Sequence, residues 1–153
     1  MKKGLIIVLV ILGIIFVALT MVPVEHTVVD KTFELEFGDY YYYGVSFKKE
    51  VPLHIELKVL EGESGVYFVV MDAENFDKFK KGDPTCEIYE DPSTDEAVKE
   101  YTTDWTAPAE DIYFVVLNLS FETQKVHLKI TASYPILPIF VAIPLDRMEL
   151  CYT

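Results

Sequence analysis

Residues 41–59 read Tyr41-Tyr42-Tyr43-Gly44-Val45-Ser46-Phe47-Lys48-Lys49-Glu50-Val51-Pro52-Leu53-His54-Ile55-Glu56-Leu57-Lys58-Val59 and carry a period of two, interrupted once. Tyr41, Tyr43, Val45 and Phe47 alternate with Tyr42, Gly44, Ser46 and Lys48. After the polar Lys49-Glu50, Leu53, Ile55, Leu57 and Val59 alternate with His54, Glu56 and Lys58. A helix would bring apolar residues back every three or four positions, whereas strict alternation puts one face of a strand on a core and the other in water. This stretch therefore predicts two consecutive strands of an antiparallel sheet with one wet face.

The same pattern extends outward. Phe33, Leu35 and Phe37 alternate with Thr32, Glu34 and Glu36, and Val126, Leu128 and Ile130 alternate with Lys125, His127 and Lys129. Val66–Met71 and Ile112–Leu119 are apolar on both faces, which predicts central strands covered on both sides. Val66-Tyr67-Phe68-Val69-Val70-Met71-Asp72 echoes Ile112-Tyr113-Phe114-Val115-Val116-Leu117-Asn118; the echo is either one central strand in each sheet or the narrow residue choice of buried strands. Turn signals at Gly38-Asp39, Glu61–Gly65, Pro108–Asp111 and Phe121–Gln124 divide the chain into about seven or eight strands. The expected fold is all-β, a jelly-roll-like antiparallel sandwich over residues 28–134. Between Asp72 and Glu100, residues 73–81 suit a short helix, and the acidic stretch to Ala97 reads as the least ordered loop.

The N-terminus differs in kind. Lys2 and Lys3 precede Leu5–Val24, which carry no charge, and Glu25 follows. As a helix such a run rises about 30 Å, the thickness of a bilayer's hydrocarbon core. Residues 1–25 are thus expected to be a single-pass membrane anchor with the N-terminus inside and the main domain outside; a cleaved signal peptide is the alternative. Residues 135–153 form a hydrophobic tail with Pro135, Pro138 and Pro144, read as a remnant of a second span, an interfacial segment or a strand packed on the sandwich. The formal charge of -12 disfavours nucleic acid as a partner. Cys86 and Cys151 are too few for a disulfide framework.

Trp105-Thr106-Ala107-Pro108 followed by an acidic turn and Ile112–Asn118 resembles the late strand pair of the GOLD (emp24/p24-like) β-sandwich, and Phe33–Val59 is similar to that family's opening strands. The resemblance spans residues 33–132. Bacterial pre-peptidase C-terminal domains are similar in strand order. Either resemblance implies a non-catalytic binding module, for protein in the first case and for calcium or polysaccharide as well in the second.

No G-x-S-x-G, H-E-x-x-H, P-loop, C-x-x-C or dinucleotide motif occurs. No catalytic residue and no cofactor is therefore assigned. Asp72, Glu74 and Asp77 open an acidic stretch with the oxygen ligands calcium prefers, though without its loop spacing; a solvated acidic loop is the plainer reading. His54, His127 and Glu56 fall on wet faces and read as solvated rather than as a zinc site. Tyr40 and Tyr42, out of phase with the core tyrosines, are expected to face outward as anchors for a partner, unless another layer covers them. Asn118-Leu119-Ser120 is a sequon for N-glycosylation at Asn118. The function expected from all this is a membrane-tethered module for protein–protein interaction outside the cytoplasm, held to the bilayer by Leu5–Val24 and facing another envelope protein. A calcium- or carbohydrate-binding surface module and an accessory subunit of a membrane complex are the alternatives.

Overall fold

The computed structural model describes residues 2–135 and 142–144. Helix α1 covers Lys2–Thr20, followed by strands β1 (Pro23–Leu35), β2 (Tyr40–Phe47), β3 (Val51–Glu61) and β4 (Tyr67–Asp72). Helix α2 (Ala73–Lys80) precedes β5 (Glu100–Ala107), β6 (Asp111–Leu117), β7 (Gln124–Pro135) and the short β8 (Ala142–Pro144). Two antiparallel sheets stack as a sandwich, ordered β1-β7-β3-β5 and β4-β6-β2-β8. Each strand lies in the sheet opposite its predecessor, so no two consecutive strands pair.

The alternation seen in the sequence maps onto the core. Leu53, Ile55 and Leu57 of β3, Val126, Leu128 and Ile130 of β7, and Tyr41, Val45 and Phe47 of β2 are buried between the sheets with Phe68, Val70, Ile112, Phe114 and Val116. Burying each such side chain contributes roughly 1.5–3 kcal/mol. The partners of Val66–Met71 and Ile112–Leu119 differ from the expected arrangement. They are not equivalent strands of two sheets: β4 and β6 are adjacent in one sheet, and Met71 lies opposite Tyr113.

That second sheet is apolar on its outer face as well, because α2 lies over it. Tyr40, Tyr42, Met71, Phe76 and Val115 form a separate buried cluster, and Phe76 stacks on Tyr113 at 4.2 Å. Asp72 caps α2, its Oδ1 accepting the Asn75 N–H at 2.8 Å. Gly44 lies beneath this layer, where a Cβ would come within 2.6 Å of the Tyr113 ring. Phe76 holds that ring in place, so Gly44→Val is expected to lower stability by about 1–3 kcal/mol through overpacking. A thermal melt unshifted from wild type would show that α2 is loosely held.

The acidic loop after α2 is pinned rather than loose. Tyr89 N–H donates to Val70 O (2.8 Å) and Thr94 N–H to Phe68 O (2.8 Å). Thr94 Oγ1 and Ser93 Oγ accept the Phe68 and Val70 N–H groups in return. An uncovered edge strand presents unpaired backbone groups to any other chain. The loop takes these up on β4, which is why a polar, acidic segment is ordered here.

At the N-terminus, the run Leu5–Val24 does not form one helix. It divides into α1, which stops at Thr20, and β1, which starts at Pro23. The helical share, from Leu5 to Thr20, rises about 24 Å, short of a hydrocarbon core of about 30 Å. Among the described residues no helix is long and apolar enough to cross a membrane. Of the tail, residues 142–144 pair with Val45–Phe47 as β8. The rest of the tail reading, and a Cys86–Cys151 bridge, lie outside the described residues.

Candidate binding tip at the end of the sandwich

The residues singled out in the sequence fall at three separate places. Tyr40 and Tyr42 do not face solvent: they are 8% and 7% exposed. Phe79 meets Tyr40 edge-on at 5.1 Å and Phe76 lies 4.8 Å from Tyr42. The alternation placed them correctly on the outer face, but α2 covers that face, so the expected outward anchors are part of a core. Asp72, Glu74 and Asp77 lie at the cap, in the first turn and in the middle of α2 and are engaged locally: Asp72 as the cap, Glu74 with Lys78 (3.0 Å) and Asp77 with Lys80 (2.8 Å). Lys80 holds the Asp77 carboxyl below its ordinary range. Among the described residues no group of three His, Cys, Asp or Glu is placed to hold a metal ion.

His54 and His127 lie on the outer face of the β1-β7-β3-β5 sheet, which no helix among the described residues covers. Registers set His54 between Asp104 and Thr131, Glu56 between Thr102 and Lys129, and Lys58 between Glu100 and His127. The result is a lattice of cross-strand pairs: His54–Asp104 at 2.6 Å, Lys58–Glu100 at 2.9 Å and His127–Asp30 at 2.8 Å. A shallow groove of about 460 Å³ beside His54 is lined by Glu25, Pro52, Asp104, Thr106 and Ser133 among others. Exposed pairs of this kind contribute little individually.

The hydrogen bond to Asp104 raises the His54 pKa above its ordinary 6.5. A raised folded-state pKa means that the pair's stabilisation is complete below about pH 6.5 and is lost as pH rises through the folded value. With the two side chains 41% and 84% exposed, a few tenths of a kcal/mol is the expected size. An NMR titration should place the His54 midpoint above 6.5, and Asp104→Asn should bring it down. An unchanged midpoint in that variant would remove the assignment.

Asn118 lies at the third place, without the exposure that its expected role as a glycan acceptor calls for. Its side chain is fully buried, and Nδ2 donates to Leu35 O (2.9 Å) and Glu122 O (2.8 Å). Both protons of the nitrogen that a glycan would occupy are spent on backbone carbonyls, so the folded domain does not present it for glycosylation. Oδ1 accepts from Ser120 N and Ser120 Oγ at 2.9 and 2.8 Å. Gly38 N–H donates to Asn118 O, and Asn118 N–H donates to Asp39 O. One residue thus fastens the β1–β2 turn to the β6–β7 turn.

Glu122 fastens a third loop. Its Oε2 accepts from Glu63 N–H (2.9 Å), Ser64 Oγ (3.1 Å) and Gln124 Nε2 (3.1 Å). The Glu63 N–H is the largest influence holding the Glu122 carboxyl below its ordinary range.

This braced tip carries apolar side chains outward. Phe121 is 91% exposed, Phe37 54% and Leu119 53%, and the Phe37 and Phe121 rings stack at 4.5 Å. Phe37, expected to continue the buried face of its strand, lies beyond it because β1 ends at Leu35. The sequence signal for this site was an aromatic residue inside the turn Phe121–Gln124, which alternation alone does not interpret. Solvent-facing aromatic residues on loops braced by hydrogen bonds are common anchors of recognition, since less entropy is lost on binding.

No family model matches the chain, and no curated protein matches it. Among solved structures the chain is similar to the pre-peptidase C-terminal domain of a collagenase from Bacillus anthracis, at 13% identity. That match covers 67% of this chain and 89% of the other, with a TM-score of 0.47. The resemblance of Trp105–Asn118 to GOLD domains finds no support in these comparisons; the antiparallel β-sandwich is read from the strand pairing of this chain itself.

Proposed function

We propose that the chain is a membrane-tethered, non-catalytic binding module whose sandwich stands outside the cytoplasm and engages another envelope protein. The observation that supports this best is α1. Its large side chains from Leu5 to Leu19 are all between 49% and 64% exposed, on every side of the helix. A helix apolar all round needs an apolar surrounding, and the sandwich does not provide it. In a bilayer, Met21 and Val22 extend the apolar length, and the bilayer thins locally to meet a short span. Lys2 and Lys3 favour the inner side.

The alternation of successive strands between the two sheets supports the jelly-roll-like reading of the domain. β1 then carries the chain about 40 Å from α1 to the tip at Phe37 and Phe121. Binding rather than catalysis is favoured because the ionisable groups on the open sheet face are paired across strands, and the groove that His54, Asp104 and Glu25 line is shallow.

Protease added to intact cells should degrade the domain and spare the N-terminus, with Met1 or Lys2 retained in the mature chain. A soluble form starting near Met21 would replace the tether with a cleaved signal, and a fully protected domain would overturn the topology. Turnover of any substrate in a broad hydrolase panel, abolished by changing His54, Asp104 or another side chain of the domain, would overturn the non-catalytic reading.

A further inference from the structure

We infer that the tip formed by Phe37, Leu119 and Phe121 docks into an apolar cleft rimmed by basic side chains on a partner protein. This rests on the reading of the chain as a tethered binding module. Three loops form the tip, residues 36–39, 62–66 and 118–123, and the first and third supply the exposed apolar side chains. The charged residues of these loops are Glu36, Asp39, Glu63 and Glu122; none of the three contains Lys or Arg.

Among the described residues, cations reach this end only from neighbouring strands and loops. Lys99 is bound to Glu63 at 2.6 Å and Lys125 to Glu61 at 2.9 Å. An apolar patch inside an acidic rim selects its occupant by charge. A second copy of the chain would bring an equally acidic rim against this one, and anionic lipid head groups would be repelled in the same way. A cleft bearing Lys or Arg around an aliphatic or aromatic floor is attracted at long range and buries the Phe37–Phe121 stack at short range. The tip also lies at the end of β1 away from α1, where the membrane holding α1 is not within reach but a neighbouring ectodomain is.

The test uses the full chain held in nanodiscs of neutral lipid, with a library of random short peptides as the probe, counter-selected on empty nanodiscs. The selected peptides should combine Lys or Arg with aromatic or aliphatic residues. A synthesised representative should bind the wild-type chain and lose about tenfold or more in affinity to the Phe37→Ser/Phe121→Ser double variant. Binding should weaken on Glu36→Lys and as salt rises from about 50 to about 300 mM.

Both variants change only exposed side chains, and a wild-type circular dichroism melt confirms that they fold. Peptides without basic residues, equal affinity for the double variant, or no peptide recovered at all would overturn the inference. So would tip-dependent docking of phosphatidylglycerol vesicles, or tip-dependent pairing of the nanodiscs, which would give the tip to lipid or to a second copy. A reversed topology in the protease experiment would leave the peptide result standing, so the two readings fail separately.

Discussion

Phe114→Ala is expected to lower the stability of the domain by about 3–5 kcal/mol, a large share of what holds a domain of this size folded. Phe114 is fully buried on β6, which has β2 on one side and β4 on the other. Its ring stacks with Phe68 at 6.4 Å, with 13° between the planes. Truncation to Ala removes the transfer free energy of the ring and leaves a cavity. Strands on both sides hold the backbone, so the cavity has little means of collapse. Denaturant unfolding of wild type and variant gives the difference directly, provided the slope is unchanged. A loss below about 1 kcal/mol would mean that the two sheets meet loosely at this point.

The second large effect is at Asn118. Asn118→Asp keeps the shape of the side chain and reverses its chemistry at one atom: the Nδ2 donor becomes an oxygen pointing at Leu35 O and Glu122 O. A carboxylate there is buried, without a cation, against two carbonyl dipoles, at a cost of about 3–5 kcal/mol at neutral pH. Burial raises the folded-state pKa of the introduced acid. The sign follows from that: the variant is least impaired below the unfolded value of about 3.9 and loses stability as pH rises from there towards the folded value. The wild-type chain lacks this dependence. Unfolding measured across that range should show a gap between variant and wild type that widens with pH. A constant gap would mean that the substituted side chain has swung out to water. The same variant should loosen the braced tip, so peptide affinity at Phe37 and Phe121 should fall with it.

How far the sequence was legible can be judged at particular residues. The alternation at Leu53, Ile55 and Leu57 placed those side chains in the core and His54, Glu56 and Lys58 outside, and the structure agrees. The same rule put Tyr40 and Tyr42 on the outer face of β2, correctly, but left open whether that face meets water or another layer; the cover comes from Phe76 and Phe79 of α2. Phe37 continued the period of β1 but stands in the turn beyond it. Asn118 fitted a sequon of three residues, whereas its partner Leu35 lies 83 positions earlier in the chain.

By itself the sequence determined that the chain is β-rich, which side chains of each strand face inward, and that its N-terminal helix has no polar face. These are local properties: the period of a strand and the composition of a helix follow from neighbours a few residues apart. Tertiary structure alone decided that consecutive strands change sheets, that β4 and β6 are neighbours, that the acidic loop seals the edge of β4, and that Asn118 is buried as the brace of a tip. Each of these rests on groups far apart in the chain meeting in space. A period of two says which face of a strand is buried, but the backbone N–H and C=O groups that choose its neighbour are the same in every strand, so the choice falls to how both sheets and α2 pack at once.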